Sequence, residues 1–123
     1  MLEVYSINID VGADSFVPLN NVSIKKGCAV ELSGVSSILL NKCGVYEVSC
    51  NCSAGTSTTI QLYKNGVAQP QAQSTGLNPS FKTLVSVDEN NTCCPCTSPT
   101  SIQVFNTTEA TFTDFNVVVE KIR

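Results

Sequence analysis

Residues 42–66 read KCGVYEVSCNCSAGTSTTIQLYKNG, and this stretch decides the fold. From Tyr46 to Cys52, apolar side chains alternate with mainly polar ones. A period of two is the signature of a half-buried β-strand. The small residues that follow form a predicted turn in which Gly55 is free to take a positive φ.

A second strand follows that turn. Ile60 and Leu62 are predicted to point inward, with Gln61 and Tyr63 outward. The strand ends at Asn65–Gly66, a strong signal for a tight β-hairpin. We therefore expect the two halves of the stretch to pair, with the rest of the chain laid against them as further strands.

Composition favours one all-β domain spanning residues 1–123. The chain has 123 residues, of which 42% are hydrophobic and only 14% are charged. Abundant Thr, Ser, Asn and Val suit strands better than helices. The net charge of −3 argues against nucleic-acid binding, which needs a basic face. No signal peptide or apolar membrane span is evident, so we expect cytoplasmic synthesis with reduced cysteines.

Outside the central stretch, further short alternating segments bring the total to about ten strands, which indicates a sandwich or barrel. Near Ser6 the first strand changes the side on which its apolar residues lie, which predicts a bulge. Residues 67–76 are polar and contain Pro70, so they are predicted to form an exposed or edge strand.

The last strand, residues 111–122, is apolar on both predicted faces. Strict alternation places Phe112, Val118 and Ile122 on one side, with the second side formed by Phe115, Val117 and Val119. Both faces of such a strand must be shielded from water. The sandwich core covers one face, and the other is covered either by a second subunit or because the strand lies centrally in the sandwich. The first alternative predicts a trimer interface at Phe112, Phe115, Val117 and Val119.

The order of these segments resembles the complement and tumour-necrosis-factor superfamily, in its bacterial and phage branch. The residues that carry the resemblance are the Gly-x-Tyr strand at Gly44 and Tyr46, the Leu-Tyr-x-Asn-Gly ending at Gly66, and the closing strand with Phe and Val on both faces. The branch includes the heads of collagen-like spore-surface glycoproteins and small virion proteins of phages.

The resemblance implies an all-β, about ten-stranded, two-sheet jelly roll that forms a homotrimer. It also implies an apolar three-fold axis partly lined by the closing strands. No collagen-like or coiled-coil stem precedes the first strand, so a stand-alone trimer is favoured over the tip of a spore filament. We expect a capsid decoration or auxiliary protein, resembling a head fibre, on a virion surface.

Catalysis is not expected, because the chain has no histidine and its carboxylates fall in separate turns. We therefore predict a protein that is not an enzyme and has no cofactor. Cysteine is the anomaly, at seven residues. Cys93 and Cys96 have the spacing of a thiolate pair, and Cys94 lies between them. A redox role is disfavoured because this motif lies in an Asn- and Pro-rich loop instead of opening a helix.

Three interpretations of the cysteines remain open. Cys50 and Cys52 could join the loop thiols around a metal, or form disulfides with them. Alternatively, Cys28, Cys43 and Cys50 are small buried hydrophobes and the loop thiols are free.

Two functions remain open as well. The first is the structural virion role, in which the segment at Met1 is a candidate foot on a capsid. The alternative is a receptor- or glycan-binding module on a phage, bacterial spore or cell surface, which would use loops at residues 69–79 and 90–99.

Overall fold

The alternating segments form eleven β-strands in the computed structural model, which describes residues 1–87 and 100–123. In chain order the strands are β1 Leu2–Val11, β2 Ser15–Phe16, β3 Asn21–Lys25, β4 Val30–Ser33, β5 Ser37–Leu40, β6 Gly44–Ala54, β7 Thr58–Lys64, β8 Val67–Gly76, β9 Ser80–Val87, β10 Thr100–Asn106 and β11 Ala110–Lys121. The described residues include no helix long and apolar enough to span a membrane.

The strands build two antiparallel sheets packed face to face. The first sheet has the order β3-β1-β11-β6-β9, and the second has the order β4-β5-β10-β7-β8. The short strand β2 extends the second sheet by pairing with β10. This is a two-sheet jelly roll, which confirms the predicted fold class.

The two halves of residues 42–66 do not pair with each other. β6 lies in the first sheet between β9 and β11, whereas β7 lies in the second sheet between β8 and β10. The connection between them crosses from one sheet to the other, and the N–H of Gly55 donates to the carbonyl of Thr111 at 2.9 Å. Gly55 does not take the positive φ expected of it. Alternation identifies a strand and its buried side, but it does not identify the strand's partners.

The hairpin at Asn65–Gly66 is confirmed. Both residues have positive φ, 50° and 80°, as a two-residue turn matched to strand twist requires. The Asn65 side chain also fixes the turn to β10, because its Oδ1 accepts from the Ser101 N–H at 2.9 Å. β8 then forms the predicted edge strand of the second sheet.

The core lies between the sheets and is formed by the inward residues of nearly every strand. Its largest fully buried side chains are Tyr46, Phe112, Phe115, Leu2, Leu19, Ile38, Leu40, Ile60, Leu62 and Ile102. The Tyr46 ring is buried and reaches the edge of the core, where its hydroxyl donates to the Lys42 carbonyl at 2.7 Å. The polar end of this ring is therefore satisfied within the chain.

The expected change of facing in β1 occurs two residues after Ser6. Ser6 is buried, Ile7 is 56% exposed, and Ile9 packs against the core again. Between them, Asn8 adopts a φ of 50°. A single left-handed residue therefore interrupts the two-residue alternation.

Candidate interaction surfaces

The four residues expected at a subunit interface are instead core residues. Phe112, Phe115, Val117 and Val119 have no exposed surface within one protomer. Alternation keeps Phe115, Val117 and Val119 on one side, and a bulge between Phe112 and Asp114, where β11 shifts its register against β6, adds Phe112 to that side. The bulge brings Phe112 and Phe115 to the same side of the sheet, with their rings packed edge to face at 5.1 Å. Within one protomer these side chains face the core and leave no surface for a partner, and β11 is central between β1 and β6.

The outer face of the first sheet presents a mixed surface of apolar and polar side chains. Leu84 on β9 is 57% exposed, and Tyr5, Val45 and Val118 are partly exposed. Edge strand β3 is exposed along its whole length. It includes Val22, at 49% exposed, and Ile24, at 38%. Ile24 lies opposite Glu3 on the solvent side of the sheet, whereas Val22 lies opposite the inward Val4, so the apolar groups exposed on the solvent side come from several strands.

The carboxylate of Glu3 lies on the same outer face and is fixed there by two hydrogen bonds. Ser23 donates to Glu3 Oε1 at 2.7 Å, and Asn116 donates to Glu3 Oε2 at 3.0 Å. These two hydrogen bonds, the one from Ser23 foremost, lower the pKa of the Glu3 carboxyl. Glu3 thus joins β3 to β11 across β1 as an ionised group.

The second sheet carries an aromatic cluster on its outer face, formed by Phe16, Tyr63 and Phe105. The ring of Tyr63 lies 5.0 Å from that of Phe105 and 5.4 Å from that of Phe16. Phe16 and Phe105 are 5.3 Å apart. All three rings are partly exposed. The sequence indicated only that Tyr63 points outward, because the three residues come from three separate strands.

Amide side chains alternate with the rings of this cluster. In the register of β10 against β7, Tyr63 lies opposite Gln103, and Phe105 lies opposite Gln61. The Gln103 amide donates to Ser36 Oγ at 3.2 Å. The outward positions of these two strands hold no charged residue: they are Thr59, Gln61, Tyr63, Ser101, Gln103 and Phe105. The part of the face formed by β7 and β10 is therefore aromatic, amide-rich and uncharged.

The cysteines of the described residues do not match any one prediction. Cys50 and Cys52 are buried free thiols, so the predicted disulfides from β6 are absent. Cys28 is free but exposed, and Cys43 is disulfide-bonded, so neither is a buried hydrophobe. The disulfide also contradicts the expectation that all seven cysteines are reduced.

The two thiols of β6 point into the sandwich because they continue the inward series that begins at Tyr46. Burial raises the pKa of Cys52 to about 12, with the charge of Asp114 adding to the effect. Burial, and then the neighbouring Cys52, raises the pKa of Cys50. The Cys52 thiol donates to the Pro79 carbonyl at 3.3 Å. Protonated thiols are poor metal ligands.

The hypothesis of a metal bound by the loop cysteines stays a prediction. Cys93, Cys94 and Cys96 lie outside the described residues. Within residues 1–87 and 100–123, no group of three His, Cys, Asp or Glu side chains is placed to hold a metal ion.

The segments proposed for docking and recognition differ in accessibility. Met1 is 37% exposed, but Leu2 and Val4 directly after it are fully buried, so the chain is anchored in the core from its second residue on. Residues 69–76 belong to strand β8 and are not a loop. Residues 90–99 lie outside the described part of the chain.

A shallow depression is lined by Asp10, Thr56, Glu109, Ala110 and Thr111. It lies at the end of the sandwich opposite Met1, here called the far end. The Thr111 hydroxyl donates to Asp10 Oδ1 at 2.6 Å. This hydrogen bond ties the start of β11 to β1 and occupies one carboxylate oxygen of the depression.

Sheet order, register and the central closing strand together define a two-sheet jelly roll. PRD1 vertex protein P5 is similar to 99% of this chain over 96% of its own length, with a TM-score of 0.69 at 10% identity. The globular domain of zebrafish complement 1qA protein gives 95% and 94% coverage, a TM-score of 0.69 and 10% identity. Rabbit GITRL gives 100% and 95% coverage, a TM-score of 0.63 and 11% identity.

No protein-family model matches the chain, and no curated protein matches it in sequence. At identities of 10–11% the likeness to these solved structures establishes the fold alone.

Proposed function

We propose that this protein is a non-enzymatic structural protein of a virion surface, a homotrimer that decorates a capsid or serves as its auxiliary, head-fibre-like component. The observation that carries the proposal is the end-to-end similarity to a protein named as a vertex protein, over 99% of this chain. Two of the other similar structures, a complement domain and GITRL, are likewise not named as enzymes.

The outer face of the first sheet supports a trimer. This face combines exposed Leu84 with partly exposed Val118, and edge strand β3 adds Ile24, which lies opposite Glu3. An exposed edge strand with apolar side chains is adhesive unless something covers it. Three copies related by a closed rotation would cover three such faces at once and leave none free.

Light scattering on the purified protein tests the assembly. We expect a mass of three 13.1 kDa chains. The charge-introducing variant Leu84→Glu should dissociate the trimer, because it places a carboxylate in the covered face. Leu77→Glu is the matched control, since Leu77 is 54% exposed in the turn before β9. A folded wild-type protein that stays at 13.1 kDa over the accessible concentration range contradicts the trimer.

Docking on a capsid needs a variant that leaves the core intact. Deleting the first residues would remove buried Leu2 and Val4, so lost binding could simply reflect unfolding. Lys26 is a better target, because its N–H and carbonyl bond Met1 and its side chain is exposed. If this end is the foot, Lys26→Glu should reduce capsid occupancy in a cosedimentation assay. The opposite reversal Glu109→Lys, at the far end, should leave occupancy unchanged, and equal occupancy for both variants rejects the foot.

A further inference from the structure

The aromatic cluster on the second sheet has features that packing alone does not require. Its members come from β2, β7 and β10, and they lie on the solvent side of the sheet, away from the core. Each of Tyr63 and Phe105 has a glutamine directly opposite it on the neighbouring strand. Aromatic rings and side-chain amides therefore alternate along both strands and across them within one small area.

This pattern fits one kind of ligand chemistry. An aromatic face attracts polarised C–H groups through its negative π-surface. A side-chain amide offers both a donor and an acceptor, which suits the paired hydroxyls of a sugar ring. A pyranose presents these two features together, as a flat C–H face bordered by hydroxyl groups.

The absence of charged residues at the outward positions of β7 and β10 limits the chemical class of the ligand further. The six outward residues of β7 and β10 are all neutral, and Ser37 and Leu39 continue the neutral surface on β5; the next charge in this direction is the carboxylate of Glu31 on β4, opposite Leu39. Sulfated or carboxylated sugars and nucleic acids would need cationic partners here. The whole chain is itself negative, at −3.

We propose that the outer face of the second sheet around Tyr63 and Phe105 is a binding site for a neutral saccharide. Tyr63 and Phe105 supply the stacking surface, and Gln61 and Gln103 bond the hydroxyls. Ser36 holds the amide of Gln103 through its 3.2 Å hydrogen bond. The proposal goes beyond the structural role on a virion and does not depend on trimer formation, because every named residue belongs to one protomer.

Tyrosine fluorescence and calorimetry give a direct test. The chain has no tryptophan and three tyrosines, so Tyr63 contributes a large share of the emission. The probes are neutral hexaoses of glucose, galactose, mannose and xylose, with a heparin hexasaccharide as the anionic probe. We expect saturable binding of at least one neutral hexaose. Raising NaCl from about 0.1 M to about 0.5 M should leave that binding unchanged.

Variants assign the binding to this face. Tyr63→Ala should lower the affinity by about ten-fold or more, whereas Tyr63→Phe should retain most of it, because stacking needs the ring and not the hydroxyl. Gln61→Ala leaves the ring cluster intact, so it remains informative if Tyr63→Ala fails to fold, and it should also weaken binding. Leu77→Ala, an exposed truncation outside both sheet faces, should have no effect.

Three results overturn the proposal. They are a folded wild-type protein that binds none of the four neutral hexaoses, binding confined to the heparin probe, and equal affinities for Gln61→Ala, Tyr63→Ala and Leu77→Ala. The dissociating variant Leu84→Glu separates this site from the trimer, because it should keep the affinity of the wild-type protein.

Discussion

Thr58 Oγ1 donates a hydrogen bond to Oδ1 of Asn106 over 2.6 Å, and both side chains are at least 98% buried. The Asn106 amide in turn donates to the carbonyls of Thr108 at 2.7 Å and Gly12 at 3.3 Å. This network joins the start of β7, the end of β10 and the turn after β1. No buried side-chain polar atom of the described residues lacks a partner. The far end of the sandwich is therefore held by a satisfied polar cluster.

Thr58→Val should lower the free energy of unfolding by about 1–3 kcal/mol, because it keeps the shape of the side chain and leaves Asn106 Oδ1 without a donor. Urea unfolding at one fixed protomer concentration measures the change. Thr59→Val is the matched control. Thr59 bonds Thr75 at 2.6 Å on the exposed side, where water can replace the lost group. Similar losses for both variants would contradict a special role for the buried pair.

Gly44→Ala should be more destabilising than a glycine substitution in an open turn. Gly44 has a φ of 143°, and a Cβ there would collide with the carbonyl oxygen of Arg123. We expect a loss of at least about 2 kcal/mol, from backbone strain and the clash together. In Gly66→Ala, with a φ of 80° and open space, the loss should be only about 1 kcal/mol. Thermal unfolding of the two variants side by side decides the order, and a smaller loss at Gly44 would show that the chain end simply moves away.

Phe115→Ala tests the placement of β11 in the core. The ring is fully buried and packs edge to face with Phe112, so its removal should cost about 3–5 kcal/mol. Thr113→Ala, at an exposed position in the bulge, should change stability by less than about 0.5 kcal/mol. Chemical unfolding provides both values. If the Phe115 variant instead keeps its stability but no longer assembles as the wild-type protein does, the result favours a subunit interface at Phe115.

The thiols of β6 should make stability fall in alkali. Burial raises the pKa of Cys52 to about 12 and that of Cys50 above its usual range, so both stay protonated in the folded chain while unfolded thiols ionise near 8.5. Their contribution is complete below that pH. It is lost as the pH rises towards 12, by up to about 1.4 kcal/mol per pH unit for each thiol. A Cys50→Ala, Cys52→Ala double variant should lose less stability between about pH 9 and pH 11, which denaturant curves at each pH will show.

Chemical labelling gives a second measure of the same burial. Iodoacetamide near neutral pH should modify exposed Cys28 and spare Cys50 and Cys52, because only the thiolate reacts and access is blocked. Peptide mass spectrometry identifies the labelled residues. Rapid labelling of Cys52 in the folded protein would mean that β6 opens readily at its C-terminal end.

The outer surfaces could be predicted from the sequence only in part. Alternation correctly placed Gln61 and Tyr63 on the solvent side of β7. It could not bring Phe16 and Phe105 beside Tyr63, because that depends on β2 pairing with β10. For the first sheet, the sequence indicated that β11 needs cover on both faces, but not that the bulge turns Phe112 to the same inward side as Phe115, Val117 and Val119.

The sequence by itself determined the strands, their buried sides in regular stretches and the Asn65–Gly66 hairpin. These follow from local chemistry, since side-chain alternation and turn conformations involve residues close in the chain. Tertiary structure alone decided that β6 and β7 belong to different sheets, and that one bulge brings Phe112 and Phe115 together. The physical reason is that strand partners and register are set by hydrogen bonds between distant segments, and a one-residue shift reverses every side chain beyond it.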